Sequence, residues 1–230
     1  MGDVVSMNDH TPYLRPTWFI DSDSPLVRRF AARAIGDRTG DEDRAVALYY
    51  AIRDGIRYDP YAMSADPDRY RASTVVTLPA AYCIQKSTLM AAAARAVGVP
   101  SRLGFADVRN HLTSPKLHEV MGSDLFVYHG FTELFLDGRW VKATPVFNLS
   151  LCERFGVRPL EFDGHHDSIV HPFDAQNRQH MEYVRDRGSF AELPFAEIIE
   201  AFRREYPALR TTFDGGSVRD EMFRPASVDS

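Results

Sequence analysis

Cysteine is scarce in this chain, since only Cys83 and Cys152 occur among 230 residues. Two cysteines cannot supply a disulfide framework, and in a reducing compartment both would stay thiols. Long apolar runs are lacking too, because no stretch of about 18 apolar residues is present to form a membrane span. The first 20 residues also lack the basic start and apolar centre of a signal peptide, so we expect a cytoplasmic protein that does not enter a membrane.

An excess of positive charge is also absent. The 27 basic and 32 acidic residues give a net charge of -5, which argues against nucleic acid as a partner. Hydrophobic residues make up 44% of the chain, enough for a core. We expect one domain over residues 21–210 with its core at 44–148, an irregular arm at 1–20 and a polar tail at 211–230. The oligomeric state has no signature in the sequence.

Two helices are predicted in the first quarter of the chain. The first begins at Pro25, which follows Ser24 as an N-cap, and it ends at Gly36. The second follows an acidic turn at residues 41–43. Its apolar face has helical spacing and consists of Ala45, Tyr49, Ile52 and Ile56. Residues 59–79 carry prolines, aspartates and arginines without a sustained period, which predicts a long surface loop.

A β-hairpin is the best-defined structural prediction. Residues 125–136 and 139–144 read as strands, and Asp137-Gly138 between them is a strong two-residue turn. Residues 102–107 predict an earlier strand. The polar segment 108–124, which carries His111 and His118, is a candidate flap over a site. A further helix is predicted near residues 195–206.

Cys83 opens an alanine-rich segment, CIQKSTLMAAAARA. Small side chains let neighbouring elements approach closely, so this segment predicts a central, buried helix. At its N-terminus, backbone N–H groups and the macrodipole are expected to lower the pKa of the thiol, as a nucleophile requires. The alternative is that Cys83 is a small buried hydrophobe, which is common for free cysteine. Cys152 has no comparable setting, and we assign it no function.

His129 interrupts the apolar strand 125–136. Alone, it could be a hydrogen-bonded core histidine. A two-residue turn at 137–138, however, pairs residue 131 with Thr144, which makes Thr144 a diagonal neighbour of His129 at about 7 Å. A side chain at 144 could therefore orient the imidazole. A nucleophile, a base and an orienter are the components of a catalytic triad.

These segments resemble the transglutaminase-like superfamily of thiol enzymes, which is related in fold to papain-type proteases. The matching motifs are the cysteine helix that ends in AVGVPSRLGF, the histidine strand YHGFTELFL, and the turn and strand DGRWVKATP, within residues 44–148. The resemblance implies an α+β fold in which a cysteine-bearing helix packs on a small antiparallel sheet, with N-terminal helices and a C-terminal extension. It also implies that Cys83 is the nucleophile and His129 the general base.

The third position of the family's triad, usually aspartate before proline, falls on Thr144. Threonine carries no charge, so it can hold the imidazole tautomer but stabilises imidazolium less well. Asn148, or an acid of the 163–167 loop such as Asp163, is an alternative orienter. Glu133 lies about 13 Å from His129 along the strand and is expected to form a structural ion pair instead.

An oxyanion site is implied at the backbone N–H of Cys83, with a second donor from the preceding loop or from Gln85. For Gln85, a solvated position on the helix is the simpler interpretation. His111 and His165 are candidates for substrate contact, because they lie in the two polar segments expected to border the site.

The sequence therefore predicts a thiol enzyme that transfers an acyl group of a peptide or small amide through a thioester, and it favours hydrolysis. No cofactor is implied. One alternative is a binding module that retains the fold without activity. Another is a metal-binding protein that uses His165, His166 and His171, although their spacing matches no strong metal motif.

Overall fold

The computed structural model describes residues 9–111, 115–169 and 181–209. The fold is α+β, as predicted. The helices are α1 (Pro25–Ile35), α2 (Asp41–Gly55), α3 (Ala72–Val75), α4 (Cys83–Ala96), α5 (Pro115–Met121), α6 (Leu149–Phe155) and α7 (Phe195–Glu205). The strands are β1 (Arg57–Tyr58), β2 (Ala80–Ala81), β3 (Ser101–Asn110), β4 (Leu125–Leu136), β5 (Arg139–Ala143) and β6 (Met181–Phe190). Short 3-10 helices cover Thr11–Tyr13, Pro67–Tyr70 and Pro207–Leu209.

The main sheet is antiparallel with the strand order β5-β4-β3-β6. Leu136 pairs with Arg139, which confirms the predicted hairpin register. Asp137 and Gly138 take φ values of 45° and 76°, as a two-residue turn with the twist of a hairpin requires. β1 and β2 form a separate parallel pair.

Helix α4 lies at the centre of the fold, as predicted. It packs against β3 and β4 of the sheet, and α1, α2 and α3 pack against it as well. Every residue from Cys83 to Arg95 is buried. Alanines at positions 91–94 allow this close approach because each side chain is a single methyl group.

Other local predictions are also confirmed. α1 has the predicted limits, and the four predicted apolar residues of the second helix are all buried. The helix expected near residues 195–206 is α7. β4 matches the predicted strand at both ends.

Three predictions are wrong in part. Residues 59–79 are not a plain surface loop, because they contain a 3-10 helix and α3 and bury Tyr70, Ala72 and Val75 in the core. β5 ends at Ala143, one residue before Thr144. β3 continues to Asn110, and α5 follows within the segment predicted as a polar flap. Strand β6 and helix α6 were not predicted at all.

Part of the chain lies outside the described residues, including the predicted tail at 211–230 and the first eight residues of the arm. Within the described ranges, none of the helices combines the length and the apolar character needed to cross a membrane.

Candidate active site

Cys83 and His129 line the same narrow pocket, which has a volume of about 20 Å³. Cys83 is the first residue of α4, and His129 lies on β4, the strand that packs against this helix. Cys83 is 7% exposed and His129 is 4% exposed. The structure thus brings together the two residues proposed from the sequence as nucleophile and base.

The thiol of Cys83 is held in its neutral form. Burial raises its pKa to about 11, although the backbone N–H groups of Gly130, Ile84 and Cys83 itself act in the opposite direction. The expectation that the helix N-terminus would lower this pKa is therefore wrong, because the loss of hydration outweighs the favourable N–H groups. Burial also lowers the pKa of His129 to about 4. At neutral pH the resting pair is a thiol and an uncharged imidazole.

No side chain of the described ranges orients the imidazole of His129. Within the described residues, Nδ1 and Nε2 of His129 and Oγ1 of Thr144 are buried and make no hydrogen bond. The predicted direct hydrogen bond from His129 to Thr144 is therefore not formed. After Ala143 the chain leaves the ladder, and the Thr144 carbonyl accepts hydrogen bonds from the Tyr49 hydroxyl and the Val146 N–H. Unpaired buried polar atoms are costly, and the two nitrogens of His129 are such atoms in the pocket that Cys83 lines.

Asn148, the alternative orienter, uses its side chain elsewhere. Its Oδ1 accepts a hydrogen bond from the Tyr58 N–H at 2.9 Å, and its Nδ2 donates to Ser150 Oγ at 2.8 Å. The residue is the N-cap of α6. Asn148 thus ties α6 to β1 and does not orient His129.

Gln85 is fully buried, which corrects the interpretation of a solvated helix residue. Its Oε1 accepts from the Tyr82 N–H at 3.0 Å, and its Nε2 donates to the Arg69 carbonyl at 2.9 Å. Both ends of the amide have partners, and Gln85 does not line the pocket, so its position does not suit an oxyanion donor. It instead fixes the turn that presents Cys83.

Three other candidates lie at the surface and do not line the pocket. His111 places Nε2 3.2 Å from Oε2 of Glu182. Asp163 Oδ2 lies 2.7 Å from Nδ1 of the exposed His166. His165 is exposed, and its carbonyl accepts a hydrogen bond from Arg139.

The 163–172 loop was expected to border the site. The part of it that the structure describes, up to residue 169, contributes nothing to the pocket, so the expectation is wrong for that part. His171, named for the metal alternative, lies outside the described residues. Across the described ranges, no group of three or more histidine, cysteine, aspartate or glutamate side chains could hold a metal ion. Glu133 pairs with Arg102, as the sequence predicted.

The described residues that line the pocket carry no formal charge. They include several aromatic and sulfur-containing side chains: Tyr58, Tyr82, Phe126, Tyr128, Tyr206 and Met121. Met121 belongs to segment 108–124, which confirms that this segment borders the pocket. Sequence reasoning did not find the four tyrosines, because they come from four separate parts of the chain.

Lys86 was also missed. It is fully buried one turn after Cys83, and its Nζ donates to the carbonyls of Arg53, Ile56 and Val146 at 3.0, 2.7 and 2.8 Å. Burial lowers the pKa of its ammonium to about 7. The lysine thus ties α4 to the end of α2 and to the segment after β5. A lysine within a run of small and apolar residues was the only signal available in the sequence.

The backbone beside His129 is irregular. Ala106 pairs with His129, but Val108 pairs with Phe126, so Val127 and Tyr128 stand opposite the single residue between them on β3. Tyr128 has a φ of 54°, which is uncommon for a residue other than glycine. A β-bulge therefore sits immediately before the candidate base.

Comparison with known families gives one match, in which the model of the transglutaminase-like superfamily covers residues 28–145. No curated protein matches the sequence. Among solved structures, the chain is similar to "a Putative Cysteine Protease from Cytophaga hutchinsonii", with 17% identity and a TM-score of 0.47. That similarity covers 82% of this chain and 55% of the other, so the chain spans little more than half of that protein.

Proposed function

Because the chain belongs to the transglutaminase-like superfamily, we propose that it is a thiol enzyme that transfers an acyl group through a thioester on Cys83. The observation that carries the proposal is that Cys83 and His129 line one pocket. The first turn of α4 adds backbone N–H groups beside the thiol. Such groups are suited to stabilise negative charge that develops on sulfur or on a carbonyl oxygen.

The proposed reaction has two halves. Cys83 Sγ attacks the carbonyl carbon of an amide while His129 takes the thiol proton. His129 then gives that proton to the leaving nitrogen as the carbon–nitrogen bond breaks, which leaves a thioester. In the second half, water or an amine loses a proton to His129 and attacks the thioester, and Cys83 leaves and regains the proton.

The resting charges define how this reaction begins. With a thiol pKa of about 11 and an imidazole pKa of about 4, a preformed thiolate–imidazolium pair is disfavoured. In the proposal, proton transfer therefore accompanies the attack on the carbonyl. An uncharged His129 has the protonation state that a general base needs.

The pocket also supports a substrate class. Its walls are uncharged and rich in aromatic side chains, and burial of an unpaired charge there would be costly. The proposed substrate is thus a peptide or small amide whose acyl part is apolar. The uncharged walls would disfavour the ammonium group of a lysine acceptor more than a water molecule, which supports hydrolysis by a peptidase or amidase activity.

Intact-mass spectrometry tests the proposal. The protein is incubated with a panel of p-nitroanilides with apolar, acidic or basic acyl groups, and the mass of each acyl adduct is recorded. We expect an adduct on Cys83 with apolar acyl groups, in the wild type and in the matched control Cys152→Ser, and none in Cys83→Ser. An adduct that persists in Cys83→Ser would contradict the assignment of the nucleophile.

A binding module that retains the fold is the second candidate. It is favoured by the high pKa of the thiol and by the absence of a hydrogen bond to the imidazole of His129. In that case the apolar amides would bind without forming an adduct, and Cys83→Ala and His129→Ala would leave their affinity unchanged. Calorimetric titration of the same panel separates the two candidates.

A further inference from the structure

The bulge before His129 has a high conformational cost. Val127 and Tyr128 together stand opposite Asp107, and Tyr128 takes a φ of 54°. A residue with a side chain keeps such a backbone only where its surroundings hold it. Tyr128 and His129 both line the pocket, so the direction of the strand at this point decides how they face Cys83.

Asp107 and Arg187 hold one side of the bulge. Asp107 Oδ1 accepts the Tyr128 N–H at 3.1 Å. Arg187 donates two hydrogen bonds to the same carboxylate, from Nε to Oδ1 at 2.9 Å and from Nη2 to Oδ2 at 2.7 Å. Its guanidinium also lies 4.8 Å from the centre of the Tyr128 ring. The two ionic side chains are 5% and 12% exposed.

Arg187 itself occupies an irregular position of the sheet. Phe105 pairs with Gly188 and Ala106 pairs with Asp186, so Arg187 has no partner in the ladder between β3 and β6. β4 is therefore bulged opposite Asp107, and β6 is bulged opposite the neighbouring step from Phe105 to Ala106. With these two irregularities, the Arg187 side chain and the Tyr128 N–H both hydrogen-bond to the Asp107 carboxylate.

Tyr206 holds the other side of the bulge. Its hydroxyl accepts the Val127 N–H at 2.8 Å and donates to the Leu125 carbonyl at 3.0 Å. The N–H groups of both bulged residues are thus bound by side chains from distant parts of the chain. Bulges next to active sites commonly redirect a side chain, and here the redirected residues lead into His129.

We propose that the Asp107–Arg187 pair is a positioning device that fixes the Tyr128 bulge and thereby aims His129 at Cys83. The proposal rests on the proposed role of His129 as the base. A buried ion pair adds little net stability compared with an apolar pair of the same size, so overall stability alone does not account for it. The backbone geometry that the pair imposes on β4 accounts for the presence of this ion pair.

Two substitutions of Asp107 separate its contacts. Asp107→Asn keeps an acceptor for the Tyr128 N–H but loses the charge that binds Arg187, whereas Asp107→Ala loses both. On an accepted substrate, we expect Asp107→Ala to lower kcat by about a hundredfold with little change in KM, because misplacement of a catalytic group by about 1 Å can have that effect. Asp107→Asn should lie between this variant and the wild type.

The Arg102–Glu133 pair supplies a matched control. It joins β3 to β4, whereas the Asp107–Arg187 pair joins β3 to β6 and reaches β4 through the Tyr128 N–H. Arg102 and Glu133 are paired in a regular part of the ladder, and the glutamate side chain is only 7% exposed. Glu133→Ala should therefore lower Tm much as Asp107→Ala does, while its kcat stays within about twofold of the wild type. Equal losses of kcat in the two variants would overturn the proposal.

A double-mutant cycle tests the route through the backbone. Glycine adopts a positive φ without strain, so Tyr128→Gly relieves the need for Asp107 to hold the bulge. Substitution of Asp107 by alanine should then lower kcat much less in the Tyr128→Gly background than in the wild type. An equal loss in both backgrounds would show that Asp107 acts by another route.

Nuclear magnetic resonance of His129 provides a readout that needs no substrate. If the bulge relaxes, the ring becomes hydrated, and its pKa should rise from about 4 toward that of a free histidine in Asp107→Ala but not in Glu133→Ala. An unchanged pKa would contradict the positioning role. If the pKa of His129 rises in Asp107→Ala but the wild type shows no turnover on any substrate, the positioning of His129 is supported and only the enzyme proposal is contradicted.

Discussion

Gly130 lies against the first turn of α4, so close that a β-carbon added there would stand 3.1 Å from the Cα of Ile84. The two residues directly follow His129 and Cys83 in the sequence. Strand and helix therefore meet backbone to backbone at the site, and no side chain at position 130 separates them. This contact sets the distance between the candidate base and the candidate nucleophile.

Gly130→Ala should push β4 away from α4. We expect the free energy of unfolding to fall by about 1 to 3 kcal/mol, as for other overpacked positions, and turnover to fall by about tenfold or more. Urea unfolding and an activity assay measure the two effects. The control is Gly55→Ala at the end of α2, where an added β-carbon meets nothing within 4 Å. A Gly130→Ala variant as active as Gly55→Ala would refute the close-contact argument.

Burial of His129 should make stability depend on pH. Its pKa is lowered to about 4 in the folded state, whereas an unfolded histidine titrates near 6.5, so the unfolded chain binds more protons between these values. Stability is thus fully present above about pH 6.5 and falls as the pH drops toward 4, by about 3 kcal/mol from this residue. His129→Gln should flatten this part of the unfolding curve. An unchanged pH dependence in His129→Gln would contradict the buried, uncharged imidazole.

Alkylation of Cys83 should accelerate steadily with pH. Because the pKa of its thiol is about 11, the thiolate fraction rises about tenfold per unit from pH 7 to 10 without a plateau. Cys83 should still react faster than Cys152, since Cys83 lines the pocket and Cys152 is 2% exposed. Peptide mapping after brief treatment with iodoacetamide measures both sites. A plateau near neutral pH would reveal a preformed ion pair and contradict the resting state described above.

Thr144→Ala tests whether the unpaired hydroxyl serves the imidazole during the reaction. We expect turnover to fall by about ten- to a hundredfold, because loss of one uncharged hydrogen bond, direct or through a water, that leaves a buried imidazole N–H without a partner costs about 1 to 3 kcal/mol. The loss should be well short of that in Cys83→Ala or His129→Ala. Thr144→Asp should raise the pKa of His129 by placing a carboxylate near it. If Thr144→Ala matches the wild type while Asn148→Ala is inactive, Thr144 is not the orienter.

Lys86→Met should destabilise the fold around the site. The three carbonyls of Arg53, Ile56 and Val146 would each lose their ammonium partner inside the protein. We expect a loss of about 3 kcal/mol in the free energy of unfolding. Lys142→Met, at a half-buried position of β5, should change it by less than about 1 kcal/mol. Chemical denaturation of the two variants in parallel makes the comparison.

The sequence predicted those elements whose signals are local. The hairpin follows from strand propensity and from the Asp137-Gly138 turn, and α1 follows from its Pro25 start and glycine end. β6 was missed because it is an edge strand with mostly exposed, charged residues, so its pairing with β3 leaves no alternating pattern.

Predictions failed where distant residues decide the outcome. Gln85 looked solvated because its partner, the carbonyl of Arg69, lies on a 3-10 helix that was not predicted. The pKa of Cys83 was misjudged because the side chains that exclude water from it come from other elements, including Tyr206 and Met121. The cysteine–histidine pairing itself was found because each residue lies in a segment that resembles the same family.

The burial of Cys83 also bears on how long the protein lasts in an oxidising cell. Peroxide attacks the thiolate of cysteine, and its products beyond the sulfenic acid are mostly irreversible. A thiol with a pKa of about 11 presents almost no thiolate at neutral pH. The burial that raises the pKa of this thiol should thus also slow its oxidation, so that Cys83 stays in the reduced form.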